Sequence, residues 1–415
     1  MIRLFPRLPM ALLCVSLLTT AVTSARTSSA PGLKFSFGAE NPSGYERVLP
    51  DTTYTQESGF GFEAGAGSAG FFSARVSEGN YRVTVKLGHH QQSTDTTIYA
   101  ELRRLMVEGV KTEAGAFTTR SFIVNVRRPD LGGGRTVRLK DREKGMEAWA
   151  WDDRLTIEIN GAHPGVATMD IEKVTMPTVY LLGDSTMCDQ PREPFNSWGQ
   201  MLTRFLRPDV AVANHAESGE AIASSLTAGR FEKVFSLITK GDYLLLQFGH
   251  NDMKSTESDA LPTYAAALRS IVDETRRHGA TPVLITSVSR RTFDDAGRRI
   301  VDSFRGYTQA VREVAREKNV ALIDLQMSSA TFYEALGPET SHLAFATMQE
   351  GTHHSDYGSY EIVKCVLEGI RAAKLDLAKH IVADFRGFDP AKPDLPAAFS
   401  LPKSPLATTA PPPGS

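Results

Sequence analysis

The sequence predicts a β-sandwich of about seven or eight strands followed by an α/β half built on a mainly parallel sheet. Three observations lead there. Between about residues 33 and 176, apolar and polar residues alternate in short segments separated by glycine-rich turns, with no long amphipathic helix between them. From residue 177, short continuous apolar runs alternate with longer stretches of helical periodicity, the texture of strands buried on both faces by helices. Finally, 415 residues of which 41 % are hydrophobic and 23 % charged are ordinary for a globular chain, long enough for two or three domains that need no disulfide staples.

The elements follow in order. Arg3 and Arg7 precede an apolar run from Met10 to Val22 that ends in Thr23-Ser24-Ala25. This is the plan of a secretory signal peptide over residues 1–25, its apolar run too short to span a bilayer comfortably. Cleavage there predicts an exported protein, periplasmic or extracellular, with no stable membrane association afterwards. Cys14 follows Leu13, a poor match to a lipoprotein signal, so only Cys188 and Cys365 remain in the mature chain. Export would allow them to pair, although two buried free thiols behaving as small hydrophobes suit them better. A formal charge of -2 provides no basic field, which argues against a nucleic-acid partner.

Residues 33–176 form the predicted sandwich. Tyr81, Val83 and Val85 alternate with Arg82, Thr84 and Lys86; Phe122, Val124 and Val126 form a second strand; Leu155, Ile157 and Ile159 alternate with Arg154, Thr156 and Glu158, whose side chains should face water. Residues 177–388 form the α/β half, with strands at Val179 to Leu182, Tyr243 to Phe248, Val283 to Ser287 and Ala321 to Ile323. Its helices place Leu268, Ile271, Val272 and Thr275 on one face, then Val311, Val314 and Ala315, then Ile362, Val363, Val366 and Ile370. Residues 389–415 are too proline-dense to build a core and read as a flexible tail.

The chemistry-bearing residues sit after these strands and in a turn-rich segment just before the last amphipathic helix. Gly183-Asp184-Ser185 places a serine at the carboxyl edge of a parallel sheet, where ligands bind in open α/β folds. The serine could cap the next helix or act as a nucleophile, and a nucleophilic serine needs a base within hydrogen-bond reach. Glu350-Gly-Thr-His353-His354 supplies one: a carboxylate three positions before His353 can fold back onto Nδ1 and leave Nε2 for the serine proton. Solvent-exposed histidines or adventitious metal binding would give the same pair. Donors for an oxyanion could come from the backbone N–H of Gly219, after a short strand, and from the Asn251 amide in Gly249-His250-Asn251-Asp252; turns use the same residue types.

Taken in order, Gly183-Asp184-Ser185, Gly219, Gly249-His250-Asn251-Asp252 and Glu350-x-x-His353 resemble the SGNH (GDSL-type) hydrolases. Leu182 to Met187, Ser197-Trp-Gly-Gln200, Gln247 to Asp252 and Gly351 to Gly358 look most like the rhamnogalacturonan acetylesterases among them. The resemblance implies a three-layer α/β/α fold, removal of acetyl groups from pectic polysaccharide, and no metal or other cofactor. It implies Ser185 as nucleophile, His353 as base, and an oxyanion hole from the Ser185 and Gly219 N–H groups and the Asn251 side chain. Two positions depart from the family pattern. Glu350 stands where the family has Asp, with Asp356 as a fallback partner for His353, and Ala221 stands where many relatives have serine.

Substrate class is read from fewer residues. Arg290 and Arg291 follow the third of these α/β strands and could bind uronate carboxylates, or serve as solvated loop charge. Trp198 could stack on a sugar ring or belong to the core. The N-terminal half resembles the galactose-binding-like sandwiches that accompany carbohydrate enzymes. The expected partner is therefore an acetylated polysaccharide. The alternatives are a lipid or thioester hydrolase of the same fold and a non-catalytic carbohydrate-binding scaffold.

Overall fold

The computed structural model of the chain describes residues 32–38, 40–64 and 70–409, so the segment read as a signal peptide lies outside the described residues. The alternating half folds into two five-stranded sheets. One runs β2 (Glu46–Arg47), β1 (Leu33–Ser36), β12 (Val166–Val174), β5 (Gly79–Gly88), β8 (Phe117–Val126); the other runs β3 (Phe60–Phe62), β4 (Phe71–Arg75), β11 (Arg154–His163), β6 (Thr94–Ala100), β7 (Arg104–Thr112). Their pairings are antiparallel apart from β1 with β2. The period of two decides what faces inward: Tyr81, Val83 and Val85 of β5 and Phe122, Val124 and Val126 of β8 share one core with Phe72, Ile98, Leu155 and Ile157 of the other sheet. The two sheets hold more strands than expected because β2 and β3, of 2 and 3 residues, are too short to show alternation. Between β8 and β11 the chain makes the small hairpin β9 (Asp130–Gly132) and β10 (Arg135–Thr136) and the one-turn helix α1 (Asp141–Lys144).

The second half is a parallel sheet in the order β14 (Ala211–Asn214), β13 (Thr178–Gly183), β15 (Tyr243–Gln247), β16 (Thr281–Ile285), β17 (Ala321–Ile323). Successive residues of β13 point to opposite faces, and both faces are dry. Val179 and Leu181 pack with α2 (Trp198–Leu202), α7 (Leu325–Thr340) and α8 (Asp356–Ala372). Tyr180 and Leu182 pack with α3 (Ile222–Thr227), α4 (Arg230–Leu237), α5 (Ala260–Arg277) and α6 (Tyr307–Glu317). The helical stripes anticipated for α5, α6 and α8 are the ones buried here. The sheet is thus enclosed between two helical layers. Among the described residues no helix is long and apolar enough to cross a membrane.

The β half and the α/β half are joined by buried charge. The turn between β6 and β7 carries Glu101 and Arg103 at φ +55° and +59°, a left-handed excursion that aims the side chains away from the sheet. Arg103 donates to Glu193 at 2.5 Å, to Asp356 at 3.2 Å and to the Phe195 carbonyl at 2.7 Å. Arg104 donates to Asp189 at 2.8 Å. Tyr99 and Leu105, at the ends of the same hairpin, belong to the core of the α/β half.

Two expectations are corrected. The proline-rich segment, described here to residue 409, is not free: Leu401 is buried, Phe399 packs edge-on against Tyr357 and tilted against Tyr360, Lys403 pairs with Glu193 and Asp356, and the Leu406 carbonyl accepts from the Glu193 N–H. Proline restricts the unfolded chain as well, so an extended proline-rich segment loses little entropy when laid on a core built by others. Glu158, covered by that segment, does not face water: it is 3 % exposed and accepts from Ser404 Oγ at 3.1 Å; Thr156 is buried too, its hydroxyl 2.8 Å from Ser73 Oγ. Cys188 and Cys365 are both buried free thiols.

Deleting residues 389–415 should lower the melting temperature by roughly 5 °C or more, because it uncovers apolar surface and removes a cation from a buried ion network. Calorimetry that finds no change would return the segment to the role of a spacer. The pH dependence has a defined sign. Burial pushes the Glu101 and Glu147 carboxyls up to about 8, Asp152 to about 6 and Asp252 to about 7. Each binds its proton more tightly folded than unfolded, so its stabilisation is complete below the ordinary carboxylate range and drains away as pH rises through 6 to 8. Thermal melts should therefore fall from pH 5 to 9, and Glu101→Gln, neutral throughout, should make the fall shallower; identical slopes would remove Glu101 from the account.

Candidate active site

The strand order β14-β13-β15 brings three loops side by side at the carboxyl edge of the sheet, where the order of the strands reverses. The loop after β13 begins at Gly183, where a Cβ would lie 2.5 Å from the Gln247 carbonyl and 2.8 Å from the Met187 sulfur, so only glycine fits. The Asp184 carboxylate then accepts from the Thr186 N–H at 3.0 Å and its hydroxyl at 2.9 Å, while the Asp184 carbonyl accepts from the N–H groups of Met187 and Cys188 at 3.1 and 3.0 Å. These bonds make the tight turn on which Ser185 sits. Beneath it, Gln247 donates to the Thr186 hydroxyl at 2.5 Å and accepts from the Trp198 indole at 2.8 Å. Trp198 is 0 % exposed, so the sugar-stacking role considered for it is withdrawn: its ring fills the core and its N–H braces the serine turn.

His353 Nε2 lies 2.9 Å from Ser185 Oγ. On the other side of the ring, Nδ1 is 3.3 Å from both carboxylate oxygens of Glu350, and the His353 backbone N–H donates to the same carboxylate at 3.3 Å. Burial alone would raise the pKa of Glu350, but the hydrogen bonds and charge of His353 outweigh it and leave the carboxyl below its ordinary value. The loop is held from two sides, by the Ala346 N–H on the His353 carbonyl at 3.0 Å and the Asn196 N–H on the His354 carbonyl at 2.9 Å. His354 is not part of the reactive group. It lies stacked on Phe345 with Nε2 2.6 Å from the Tyr333 hydroxyl, and burial pushes its pKa down to about 3. Asp356, the fallback partner for His353, binds Asn196, Arg103 and Lys403 instead.

The other two loops are tied to the first. Gln190 Nε2 donates to the Ser185 carbonyl at 2.7 Å and to the Ser218 hydroxyl at 3.3 Å, and the Asn251 amide donates to the Glu220 carbonyl at 3.0 Å. Gly219, between Ser218 and Glu220, has φ +74°, a conformation that favours glycine. Asn251 has a second amide hydrogen beyond the one given to Glu220. Arg290 is half-buried within electrostatic reach of Asp184. Arg291 is not at the reactive group: its guanidinium donates to Ser341 Oγ at 2.9 Å and to the Pro338 carbonyl at 2.6 Å, securing the end of α7 beyond its kink at Gly337.

Sequence reasoning missed Gln190, and it missed Lys140 and Arg142 of the β half, both of which donate to the Ser218 carbonyl. The only sign of the latter two is the charge density of Arg138 to Lys144. Among the described residues no three His, Cys, Asp or Glu side chains are grouped so as to hold a metal ion. A serine hydroxyl in contact with an imidazole whose far nitrogen faces a carboxylate can be deprotonated as it attacks an acyl carbon.

Residues 181–359 match the GDSL-like Lipase/Acylhydrolase family. Rhamnogalacturonan acetylesterase RhgT of Bacillus subtilis (strain 168) is 38 % identical over 219 residues, covering 49 % of this chain and 94 % of that protein. Probable rhamnogalacturonan acetylesterase YesY of the same organism is 31 % identical over 217 residues, covering 50 % and 98 %. Among solved structures, that of protein YXIM_BACsu from Bacillus subtilis aligns over 83 % of this chain and 99 % of its own at 22 % identity, with a TM-score of 0.49. The chain is a carboxylic ester hydrolase and belongs to the GDSL-like lipase/acylhydrolase family.

Proposed function

We propose that this protein is an exported serine esterase that removes acetyl groups from plant cell-wall polysaccharide, with acetylated rhamnogalacturonan the first substrate to test. The observation that carries the reading is the 2.9 Å contact of Ser185 Oγ with His353 Nε2, backed by Glu350 across Nδ1. The names of the two Bacillus relatives support the choice of acyl group and polymer. In this mechanism Ser185 attacks the acetyl carbonyl while His353 takes its proton, and the negative oxygen is met by the Ser185 and Gly219 N–H groups and the Asn251 amide. His353 returns the proton to the departing sugar hydroxyl and leaves acetyl-serine. Water, deprotonated by His353, then adds to the acetyl carbon; the bond to Ser185 Oγ breaks, His353 returns the proton to Oγ, and acetate leaves. Each proton is moved by side chains of this site, and the cycle calls for no cofactor.

Under the same proposal, residues 33–176 form a galactose-binding-like sandwich domain that docks the polymer, and Arg290 pairs with a uronate carboxylate. A second reading, hydrolysis of a longer acyl ester, draws on a hollow of about 270 Å³ beside Asn251, lined by Ala221, Ile222, Leu226 and Tyr264.

Acetate release from acetylated rhamnogalacturonan, xylan and homogalacturonan, with EDTA as a control, tests the proposal. Ser185→Ala and His353→Ala should each cost at least about 1000-fold in kcat, and Glu350→Ala should cost at least about tenfold less than His353→Ala. Near-wild-type turnover by the serine variant would sink the mechanism, and faster cleavage of decanoyl than of acetyl aryl esters would move the assignment to the second reading. For Arg290→Ala the expected result is a KM several-fold higher on acidic polymer and unchanged on an aryl acetate, roughly the effect of losing one charged contact. An equal change on both would make Arg290 a structural residue.

A further inference from the structure

Gly219 lies between two carbonyls held by different parts of the chain. The Glu220 carbonyl takes the Asn251 amide, from within the α/β half. The Ser218 carbonyl takes two donors from the β half instead, Lys140 Nζ at 2.6 Å and Arg142 Nη2. A carbonyl offers two lone pairs, and here two full cations are aimed at one oxygen of a buried residue. Both cations are anchored. Lys140 Nζ also reaches Glu220 Oε1 at 2.6 Å, so it spans Gly219 from one side to the other. Arg142 also pairs with Glu217 and, at 3.4 Å, with Glu147. The short helix that carries Arg142 is fastened by Glu143, which accepts from the Lys140 N–H at 2.8 Å, the Trp151 indole at 2.9 Å and Arg230 of α4 at 2.6 Å.

The Ser218 carbonyl and the Gly219 N–H are two ends of one planar peptide unit. A donor that fixes the direction of the C=O fixes the direction of the N–H, and charge drawn toward the oxygen makes that N–H a stronger donor. We propose that Lys140 and Arg142 are positioning residues of the oxyanion hole, orienting and polarising through the Ser218 carbonyl the Gly219 N–H that meets the developing charge. The β half thereby completes the reactive site as well as any docking it performs. The inference rests on the assignment of Gly219 as an oxyanion donor, made in the preceding section.

The test uses the full chain, an aryl acetate too small to reach a docking surface, and Lys140→Met, Arg142→Met, their combination and Asn251→Ala. Each single cation loss should lower kcat about tenfold and the pair about 100-fold, short of or equal to the loss of a whole donor, with KM changed less than about twofold. Lys140→Arg, which keeps charge and donors, should recover most of the activity. A direct readout is the amide nitrogen of Gly219. The sequence contains only three Ser–Gly pairs, at 43–44, 58–59 and 218–219. Carbonyl-labelled serine with nitrogen-labelled glycine therefore isolates three resonances, of which that of Gly219 should move in both methionine variants while the other two stay. Lys140, whose side chain is 31 % exposed, can be replaced singly if the double variant does not fold. A stationary Gly219 resonance, a change in KM alone, or full kcat in the cation variants while Asn251→Ala loses at least about tenfold would overturn the proposal and leave the oxyanion hole standing. Full kcat in Asn251→Ala and in the cation variants alike would remove the oxyanion hole beneath the proposal, and the inference with it.

Discussion

Three arginines of the β half, Arg103, Arg104 and Arg127, are buried, and the carboxylates that neutralise them belong to the other half: Glu193 and Asp356 for the first, Asp189 for the other two. A buried charge without its partner costs about 3–5 kcal/mol, so neither half can present this surface alone without a large penalty. The left-handed turn at residues 101–103 is the means by which a β-hairpin delivers such charges into its neighbour. Burial also explains why Glu101, beside them, holds its proton: Arg104 pulls its pKa down, and desolvation outweighs that pull.

The acids that answer these arginines stand at particular points of the α/β half. Asp189 and Glu193 follow the serine turn, and Asp356 opens α8 directly after the histidine loop. Arg103 therefore touches, through Glu193, Phe195 and Asp356, both of the segments whose approach brings Ser185 to His353. The contact between halves and the contact between Ser185 and His353 are held by the same short stretches of chain. Lys403, from the proline-rich segment, closes the network by adding a cation to Glu193 and Asp356.

Much of this was legible in the sequence, and the reasons differ by scale. Burial of β5, β8, α5, α6 and α8 followed from periodicity because a single effect, the removal of apolar area from water, selects the inward face. Ser185 was legible because a parallel sheet collects its strand ends on one edge, whereas Glu350 and His353 lie in the loop before α8 and stood out as a carboxylate three positions ahead of a histidine. Trp198, Arg291, Thr156 and Glu158 were misplaced for a shared reason. Their surroundings are made by segments distant in sequence: Gln247 for the indole, Pro338 and Ser341 for the guanidinium, Ser73 for Thr156 and Ser404 for Glu158. Local patterning carries no record of what covers a surface from afar.

The Glu350 position shows the same dependence on surroundings at atomic scale. One more methylene than aspartate would push a carboxylate past its target if the loop were fixed and the approach head-on. Here the carboxylate lies broadside, with both oxygens 3.3 Å from Nδ1 and one of them also taking the His353 N–H. The extra length is absorbed in that approach. The imidazole is also steadied independently, through the Ala346 and Asn196 N–H groups on the backbone of residues 353 and 354 and through Phe195, edge-on 6.2 Å from the ring. Orientation of His353 is thus spread over several contacts, and under the proposed mechanism Glu350 is left chiefly with the charge that stabilises imidazolium as it forms. A longer side chain meets that electrostatic demand as well as a shorter one, because Coulomb attraction falls off with distance far more gently than hydrogen-bond geometry degrades with misalignment.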